Sequence, residues 1–286
     1  MTTTPPAVQQ EEGHLVARDG VRLAYRWFRP EGARQTVVVH HGFAEHMGRY
    51  RHLIAALSAA GYETFLYDAR GHGASGGRRG HVDAFSDYVA DLRQMLDHVA
   101  SVRGAAPVLL GHSQGGLIVT TALQERALPV TAVVLSNPAL AASVEVPGWK
   151  VVAAKTLSRL LPTVALPVGI PASHISRDPA SVRDYESDPA IFGSGTTRWG
   201  AEFLAAQAKV LGAKLRMSQP LLVLIGTGDQ VVDPQVSRAY YAGAEAAECS
   251  IEIYEGFYHE LFNEPEGERE RPLRDLVAWL DGHVAG

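Results

Sequence analysis

The sequence predicts an α/β fold: a mostly parallel central sheet of about eight strands, with helices on both faces and a helical cap inserted after the sixth strand. Short β-rich runs alternate with longer helical stretches along most of the chain, a pattern typical of βαβ units. The alternation then stops for about 80 residues before it resumes, and structureless connections of that length are uncommon inside a domain. We therefore expect an insertion at that point.

Length, composition and charge are those of a globular protein without a nucleic-acid partner. The 286 residues are 46% hydrophobic and 20% charged, with a formal net charge of -5 and no cluster of lysines and arginines that could bind phosphates. The single cysteine, Cys249, excludes an internal disulfide, and we expect it to be a free, buried thiol. No feature of the sequence indicates an oligomeric state.

The first 13 residues, "MTTTPPAVQQEEG", lack both the basic start and the apolar stretch of a signal peptide. No window of the sequence reaches the roughly 18 uninterrupted apolar residues of a membrane-spanning helix. We expect residues 1–13 to be a flexible tail on a cytoplasmic protein.

The predicted core comprises residues 14–137 and 218–286. It opens with "HLVARDGVRLAYRWFRP", in which Asp19-Gly20 favours the turn of an antiparallel hairpin. The next strands and helices alternate: "TVVVHH", the helix Tyr50 to Ala60, "TFLYD", the helix Phe85 to Val102, "PVLLG", the helix Gln114 to Arg126, and "TAVVLS". After the insertion come "PLLVLIG", a helix from Pro234, "SIEIYEG" and a last helix from Pro272 to Val284.

The predicted cap, residues 138–217, contains the apolar, proline-broken "WKVVAAKTLSRLLPTVALPVGIP" and the helical "AEFLAAQAKVLGAKL". In sheets of this kind, ligands bind in the crevice outside the carboxyl ends of the strands. We therefore expect the functional residues in the loops that follow the strands.

Ser113 is the candidate nucleophile. It lies in Gly111-His112-Ser113-Gln114-Gly115, which matches G-x-S-x-G between a predicted strand and a predicted helix. A strand that turns sharply into a helix strains the backbone at the serine and leaves no room for side chains at the flanking positions, which glycine supplies. The alternative interpretation is a glycine-rich bend with a solvated serine.

A serine nucleophile needs a base that is oriented by a third group. Asp229 and Asp233 both follow the strand "PLLVLIG", but Asp233 precedes Pro234 at a helix start and can be explained as a helix cap, so we favour Asp229. Among the 12 histidines, His259 lies just after the last strand. The order Ser113, Asp229, His259 is the order that accompanies a nucleophile elbow on such a sheet.

Backbone N–H groups can stabilise the oxyanion of a tetrahedral intermediate. Gln114 N–H at the start of its helix and Phe43 N–H in the loop after the third strand are the candidate donors. We expect no cofactor and no metal, because "DARGHGASGG" lacks the ending of a phosphate-binding loop and "HHGFAEH" lacks the spacing of the H-E-x-x-H and H-x-x-E-H zinc sites.

Four segments carry a resemblance to a known family: "HHGFAEHMGRY", "DARGHGASGG", "YEGFYHELFNE" and, within the cap, "ISRDPASVRDYESDP". With them, nearly the whole chain after the tail resembles the α/β-hydrolase superfamily and, within it, the monoacylglycerol lipase and lysophospholipase-like group. The resemblance implies an α/β-hydrolase fold, with Ser113 as nucleophile, His259 as general base and acid, and Asp229 as its orienting group. It also implies that Phe43 and Gln114 supply the oxyanion N–H groups.

The resemblance also suggests that Glu45 and Arg49 organise the pocket near its glycerol-binding end, although a buried ion pair explains them equally well. The chain departs from the group at Gln114, where methionine is usual, and at Phe43-Ala44, which replace a smaller, glycine-containing pair. Because the oxyanion contacts are main-chain, we expect the chemistry to survive these departures, and pocket shape and substrate preference to change.

The function implied is hydrolysis of a small-molecule acyl ester, most of all a monoacylglycerol, to fatty acid and alcohol through an acyl-enzyme. A broad carboxylesterase or a lysophospholipase is the alternative within the hydrolases, and a peptidase is a further one. A ligand-binding protein without turnover is the alternative outside them. The apolar face of the cap could also contact a membrane surface transiently.

Overall fold

The computed structural model describes residues 8–143 and 156–284. Its main sheet has eight strands in the order β1-β2-β4-β3-β5-β6-β9-β10; β1 and β2 are antiparallel to their neighbours and the others are parallel. The strands of the chain are β1 Val8–Val16, β2 Arg22–Pro30, β3 Gln35–His40, β4 Tyr62–Tyr67, β5 Val108–His112, β6 Val133–Ser136, β7 Ala165–Pro167, β8 Ser194–Thr196, β9 Leu221–Gly226 and β10 Cys249–Tyr254. The mostly parallel α/β-hydrolase sheet predicted from the sequence is confirmed.

Helices cover both faces of the sheet. They are α1 Arg51–Ala59, α2 Phe85–Arg103, α3 Gln114–Glu125, α4 Pro179–Ser187, α5 Thr197–Leu211, α6 Pro234–Ala242 and α7 Glu270–His283. Side chains alternate between the two faces of a strand, so Val38 of β3 packs in the apolar cluster that includes α2 and α3, while Val37 and Val39 pack in the cluster with α1 and α7. The all-apolar strands of the sequence are therefore those buried on both faces.

The predicted flexible tail, residues 1–13, is wrong for residues 8–13. These residues belong to β1, which pairs with β2 from Val8 opposite Pro30 to Val16 opposite Arg22. Two ion pairs join the strands, Glu12 to Arg26 at 2.9 Å and Glu11 to Arg29 at 3.3 Å. The segment is polar because it is an exposed edge strand, so it lacks the alternation of apolar and polar residues that indicates a strand in a sequence. Residues 1–7 lie outside the described residues.

The segment between β6 and β9, hereafter the insertion, covers the carboxyl end of the sheet. Its described part contains helical residues 156–160, the antiparallel pair β7 and β8, and the helices α4 and α5. The cap is predicted to be all helical, so the small sheet of β7 and β8 is not predicted. The helix predicted over "AEFLAAQAKVLGAKL" begins earlier, at Thr197, because the Thr196 hydroxyl accepts from Trp199 N–H at 3.2 Å and caps it. The boundaries 138 and 217 stay predictions, and "WKVVAA" falls outside the described residues.

Two further expectations concern the burial of Cys249 and membrane-spanning helices. Cys249 is a free thiol that is half-buried rather than buried, because β10 is an edge strand; its Sγ donates to the Tyr241 carbonyl at 3.4 Å. Within residues 8–143 and 156–284, none of the helices has the length and apolar character needed to cross a membrane.

Candidate active site

Ser113 occupies the sharp turn between β5 and α3. Its backbone has φ 52° and ψ -119°, a strained conformation for a residue with a side chain. The turn is tight: a methyl group at Gly115 would overlap the His40 carbonyl oxygen of β3, and one at Gly111 would lie 2.9 Å from the Gly115 oxygen. Glycine is therefore required on both sides, and the strain is concentrated at the serine.

A hydrogen-bonded chain links the three residues singled out in the sequence. Ser113 Oγ lies 2.9 Å from His259 Nε2, and His259 Nδ1 lies 2.6 Å from Asp229 Oδ2. The other oxygen of Asp229 accepts from the N–H groups of Val231 and Val232, at 2.8 and 2.9 Å. The carboxylate is thus fixed by the loop after β9, and it fixes the histidine ring.

The charge environment of His259 suits a base. Burial alone lowers the pKa of the imidazole, but the adjacent Asp229 carboxylate, together with Glu260 and Glu45, outweighs burial and raises the pKa above its usual value. The neighbouring His112 behaves oppositely: burial, and then the positive charge of a protonated His259, lower its pKa to about 3. His112 is therefore neutral, and its Nδ1–H donates to the Ser136 carbonyl at 3.1 Å.

Asp233, the alternative acid, lies outside this chain of hydrogen bonds. Its Oδ1 accepts from Gln235 N–H at 2.8 Å and from Val236 N–H at 3.2 Å, which caps α6. The helix-cap interpretation accounts for this carboxylate fully.

The two candidate oxyanion residues, Phe43 and Gln114, line the same cavity as Ser113. Gln114 is the first residue of α3, where backbone N–H groups have no partner within the helix. Phe43 lies in the loop after β3, and in residues 8–143 and 156–284 neither N–H has a hydrogen-bond acceptor. The absence of a side chain at Gly42 allows the loop to lie close to the serine, since a Cβ at Gly42 would lie 3.0 Å from the Ser113 Cβ.

Glu45 and Asp68 fix the shape of the Phe43 loop. The Glu45 carboxylate accepts from Gly42 N–H at 2.5 Å and from the Tyr50 hydroxyl at 2.8 Å. Asp68, in the glycine-rich turn after β4, accepts from Met47 N–H at 2.8 Å. The stretch "DARGHGASGG" thus forms a turn whose first residue, Asp68, supports the neighbouring loop.

The ion pair suggested for Glu45 and Arg49 is wrong, because each residue has another partner. Arg49 Nη2 donates to Glu260 Oε2 at 2.6 Å, and both side chains are buried. Asn263 Nδ2 donates to the same Glu260 oxygen at 2.8 Å and to the Arg49 carbonyl at 3.1 Å. Sequence reasoning missed Glu260 because 211 residues separate it from Arg49; its position directly after His259 was the available signal.

A cavity of about 510 Å³ opens beside Ser113 and runs under the insertion. Its walls are mostly apolar and include Phe43, Val168, Ile170, Trp199, Phe203 and Val232. Cavities of this size and character bind small apolar molecules. The serine thus lies at the inner wall of an apolar site.

Two further spaces lie near the site, although Ser113 itself lines neither of them. The first is a void of about 10 Å³, room for one water-sized group, bounded by polar and apolar side chains: Glu45, Arg49, Tyr50, His112, Glu260, Leu261, Phe262 and Asn263. A polar cleft of about 380 Å³ shares Arg49 and Asn263 with it and reaches α4. The site therefore has an apolar side and a polar side.

Comparisons of the sequence and of the structure with known proteins point to the same family. The profile of the family described as serine aminopeptidase, S33, matches residues 31–266. A monoacylglycerol lipase of Mycolicibacterium smegmatis is 34% identical over 93% of this chain and 95% of its own, and the Homo sapiens monoglyceride lipase is 33% identical over 99% and 94%. The crystal structure of Paleococcus ferrophilus monoacylglycerol lipase is 30% identical, with a TM-score of 0.79, and covers 97% of this chain and 100% of its own.

Proposed function

The chain belongs to the serine aminopeptidase S33 family of α/β-hydrolases, and from this premise we propose that it is a serine hydrolase that cleaves monoacylglycerols to fatty acid and glycerol. The observation that carries the proposal is the Ser113–His259–Asp229 chain of hydrogen bonds at the wall of an apolar cavity. The relatives named monoacylglycerol lipase and monoglyceride lipase, at 34% and 33% identity over nearly the full chain, support the choice of ester.

In the first half-reaction, Ser113 Oγ attacks the ester carbonyl carbon while its proton passes to His259 Nε2. Asp229 keeps the other proton on Nδ1 and stabilises the imidazolium that forms. The N–H groups of Phe43 and Gln114 receive the oxyanion of the tetrahedral intermediate. Its collapse breaks the bond to the alcohol oxygen, which takes the proton back from Nε2 and leaves as glycerol.

In the second half-reaction, water replaces the alcohol. His259 Nε2 takes a proton from the water as its oxygen attacks the acyl carbonyl, and the second tetrahedral intermediate expels Ser113 Oγ, which recovers that proton. The fatty acid is released. The chain's own residues supply every proton transfer, so the proposed reaction uses no metal or cofactor.

The two sides of the site match the two halves of a monoacylglycerol. The acyl chain would occupy the apolar cavity, where each buried methylene contributes about 0.8 kcal/mol, or about 4-fold in binding. The alcohol would face the polar side, where Glu45, Tyr50 and His112 bound a void with room for one water-sized group, such as a single hydroxyl.

The charges of the polar side favour glycerol over the phosphate headgroup of a lysophospholipid. The arginines that line the cleft are already paired: Arg49 with Glu260 at 2.6 Å and Arg51 with Asp184 at 2.7 Å. A phosphate gains most from arginines that can form charge-assisted bonds with it. Neutralised arginines suit an uncharged alcohol better.

The proposal extends to the membrane surface. Leu160, Leu161 and Leu166 of the insertion are exposed by 73%, 51% and 47%. Such a group of exposed leucines can enter the boundary of a lipid layer, from which the substrate would be taken. Flotation with phosphatidylcholine liposomes tests this contact; a protein that stays with the aqueous fraction contradicts it. A cytoplasmic location stays a prediction.

The main experiment is a substrate series assayed with wild-type protein and Ser113→Ala. We expect monoacylglycerols of increasing chain length to be hydrolysed with rising kcat/KM until the cavity is full, and lysophospholipids poorly. Ser113→Ala should lose about 10⁶ in turnover and all labelling by a fluorophosphonate. Equal rates for all esters would favour a broad carboxylesterase, and substantial activity of the alanine variant would refute the assignment of Ser113.

A further inference from the structure

Gln114 makes a hydrogen bond that the proposed chemistry does not explain. Its Oε1 accepts from the indole N–H of Trp199 at 2.8 Å, and the two residues are 1% and 7% exposed. Gln114 follows the candidate nucleophile, whereas Trp199 lies 85 residues away, on α5 of the insertion. The bond therefore joins the insertion directly to a residue of the candidate oxyanion hole.

The same tryptophan also holds the other oxyanion residue. The rings of Trp199 and Phe43 are stacked, with centroids 3.7 Å apart and an interplanar angle of 20°. Phe192 and His72 pack edge-on against Phe43, with centroids 5.5 and 5.6 Å away. The Phe43 side chain thus has little freedom to turn, which limits displacement of the residue whose backbone N–H is a candidate donor.

Trp199 is itself firmly placed. Its backbone N–H donates to the hydroxyl of Thr196, which caps the helix. Its ring stacks on Phe203 with centroids 5.2 Å apart, and a side chain at Gly195 would overlap the indole. A fixed indole can transmit position to the groups that it contacts.

We propose that Trp199 is a positioning residue that aligns both oxyanion donors from the insertion, Gln114 through its indole N–H and Phe43 through its ring. The inference rests on the proposed function, in which these two backbone N–H groups receive the oxyanion. A side chain held by its contacts limits movement of its Cα, and so limits displacement of the backbone N–H that is attached to it. Preorganised donors act on the transition state, and small displacements of such groups reduce turnover strongly.

Packing alone would leave the hydrogen bond unexplained. An apolar filler of this space needs no N–H donor, and burying an indole without a partner costs free energy. Here the donor meets the side chain of the residue beside the nucleophile. The arrangement ties the placement of the insertion to the alignment of the oxyanion hole.

The test compares Trp199→Phe, Gln114→Met and the double variant on a medium-chain monoacylglycerol. Trp199→Phe keeps a ring against Phe43 but removes the N–H donor; Gln114→Met removes the acceptor at similar volume. We expect each to lower kcat about 10-fold, the effect of about one net hydrogen bond. Both residues also line the apolar cavity, so KM should change as well, but by less than kcat. The double variant should lose no more than either single variant, because one interaction is removed.

Two inhibitors separate positioning from substrate binding. An alkyl boronic acid, which forms a tetrahedral adduct with a serine nucleophile, should bind more weakly to each variant. A glycerol alkyl ether, which has no carbonyl, measures the change in acyl-chain binding alone, since Trp199 and Gln114 also line the cavity; the boronic acid should lose about 10-fold more affinity than the ether. The matched control is Trp279→Phe, since the Trp279 indole on α7 is buried without a hydrogen-bond partner in the described part of the chain. We expect this control to match wild type in every assay.

Wild-type kcat and boronate affinity in Trp199→Phe, or a change in KM alone, would overturn the inference while ester hydrolysis by wild type upholds the proposed function. A wild-type protein that hydrolyses no ester would instead refute the proposed function. If Trp199→Phe does not fold, Gln114→Met alone decides: unchanged kcat overturns the inference.

Discussion

Replacing Asp229 by asparagine should trap His259 in the wrong tautomer. In the wild type, Asp229 Oδ1 accepts from two backbone N–H groups and Oδ2 faces His259 Nδ1 at 2.6 Å. The carbonyl oxygen of asparagine must stay on the backbone N–H groups, because its amide would meet two donors there. The amide therefore faces Nδ1 and donates to it. Nδ1 then carries no proton, and the proton moves to Nε2, which faces Ser113 Oγ.

The size of the expected loss in kcat follows from this change of tautomer. A histidine with the proton on Nε2 cannot accept the serine proton, and an equivalent change in a serine protease lowers kcat about 10⁴-fold. That factor corresponds to about 5 kcal/mol of transition-state stabilisation. The fold should persist, because the change is isosteric and the two backbone hydrogen bonds remain.

The assay is kcat/KM for a monoacylglycerol, with thermal melting to verify folding. Asp233→Asn is the matched control, since it lies four residues away and asparagine caps a helix as well as aspartate. We expect full activity and an unchanged melting temperature in the control. Activity of Asp229→Asn within 10-fold of wild type, or an equal loss in Asp233→Asn, would refute the reasoning.

Three further outcomes are expected. Because the pKa of His259 is raised above 6.5 and the base must be unprotonated, kcat/KM should fall with decreasing pH around a midpoint above 6.5; a midpoint below it contradicts the assigned environment. Gly115→Ala should prevent folding or lower the melting temperature sharply, since its methyl group would overlap a carbonyl of β3, whereas Gly282→Ala, with open space around it, should be tolerated in the same melting assay. Thr120→Val should lower the free energy of unfolding by about 1–3 kcal/mol, because it leaves the Tyr241 hydroxyl, 2.7 Å away and buried, without its partner. The loss should exceed that of Thr121→Val, whose hydroxyl donates to the Leu117 carbonyl of its own helix; equal denaturation midpoints would contradict this.

The sequence predicted the elements whose signals are local. Strands buried on both faces read as apolar runs, and glycines flank Ser113 because the elbow has no room for side chains. Asp229 and His259 could be chosen because each follows a strand, and parallel strands bring their carboxyl ends to one edge. Their separation in sequence did not matter, since the topology fixes the edge.

The features that the sequence did not predict depend on tertiary contacts. Arg49 pairs with Glu260 rather than Glu45, and no local pattern encodes a partner 211 residues away. Residues 8–13 form a strand although they are polar, since their stability comes from pairing with β2 and not from burial. The partner of the Gln114 side chain was invisible for the same reason, because it lies on the insertion.

The position of His259 has a consequence for biosynthesis. Ser113 and His259 are 146 residues apart, and His259 follows β10, the edge strand that pairs with β9 alone. During translation, the elbow is made long before its base, and contacts of such long range form slowly. Under the proposed mechanism, a nascent chain that ends before residue 259 carries Ser113 without its proton acceptor, so ribosome-bound and prematurely terminated products should be inert toward esters.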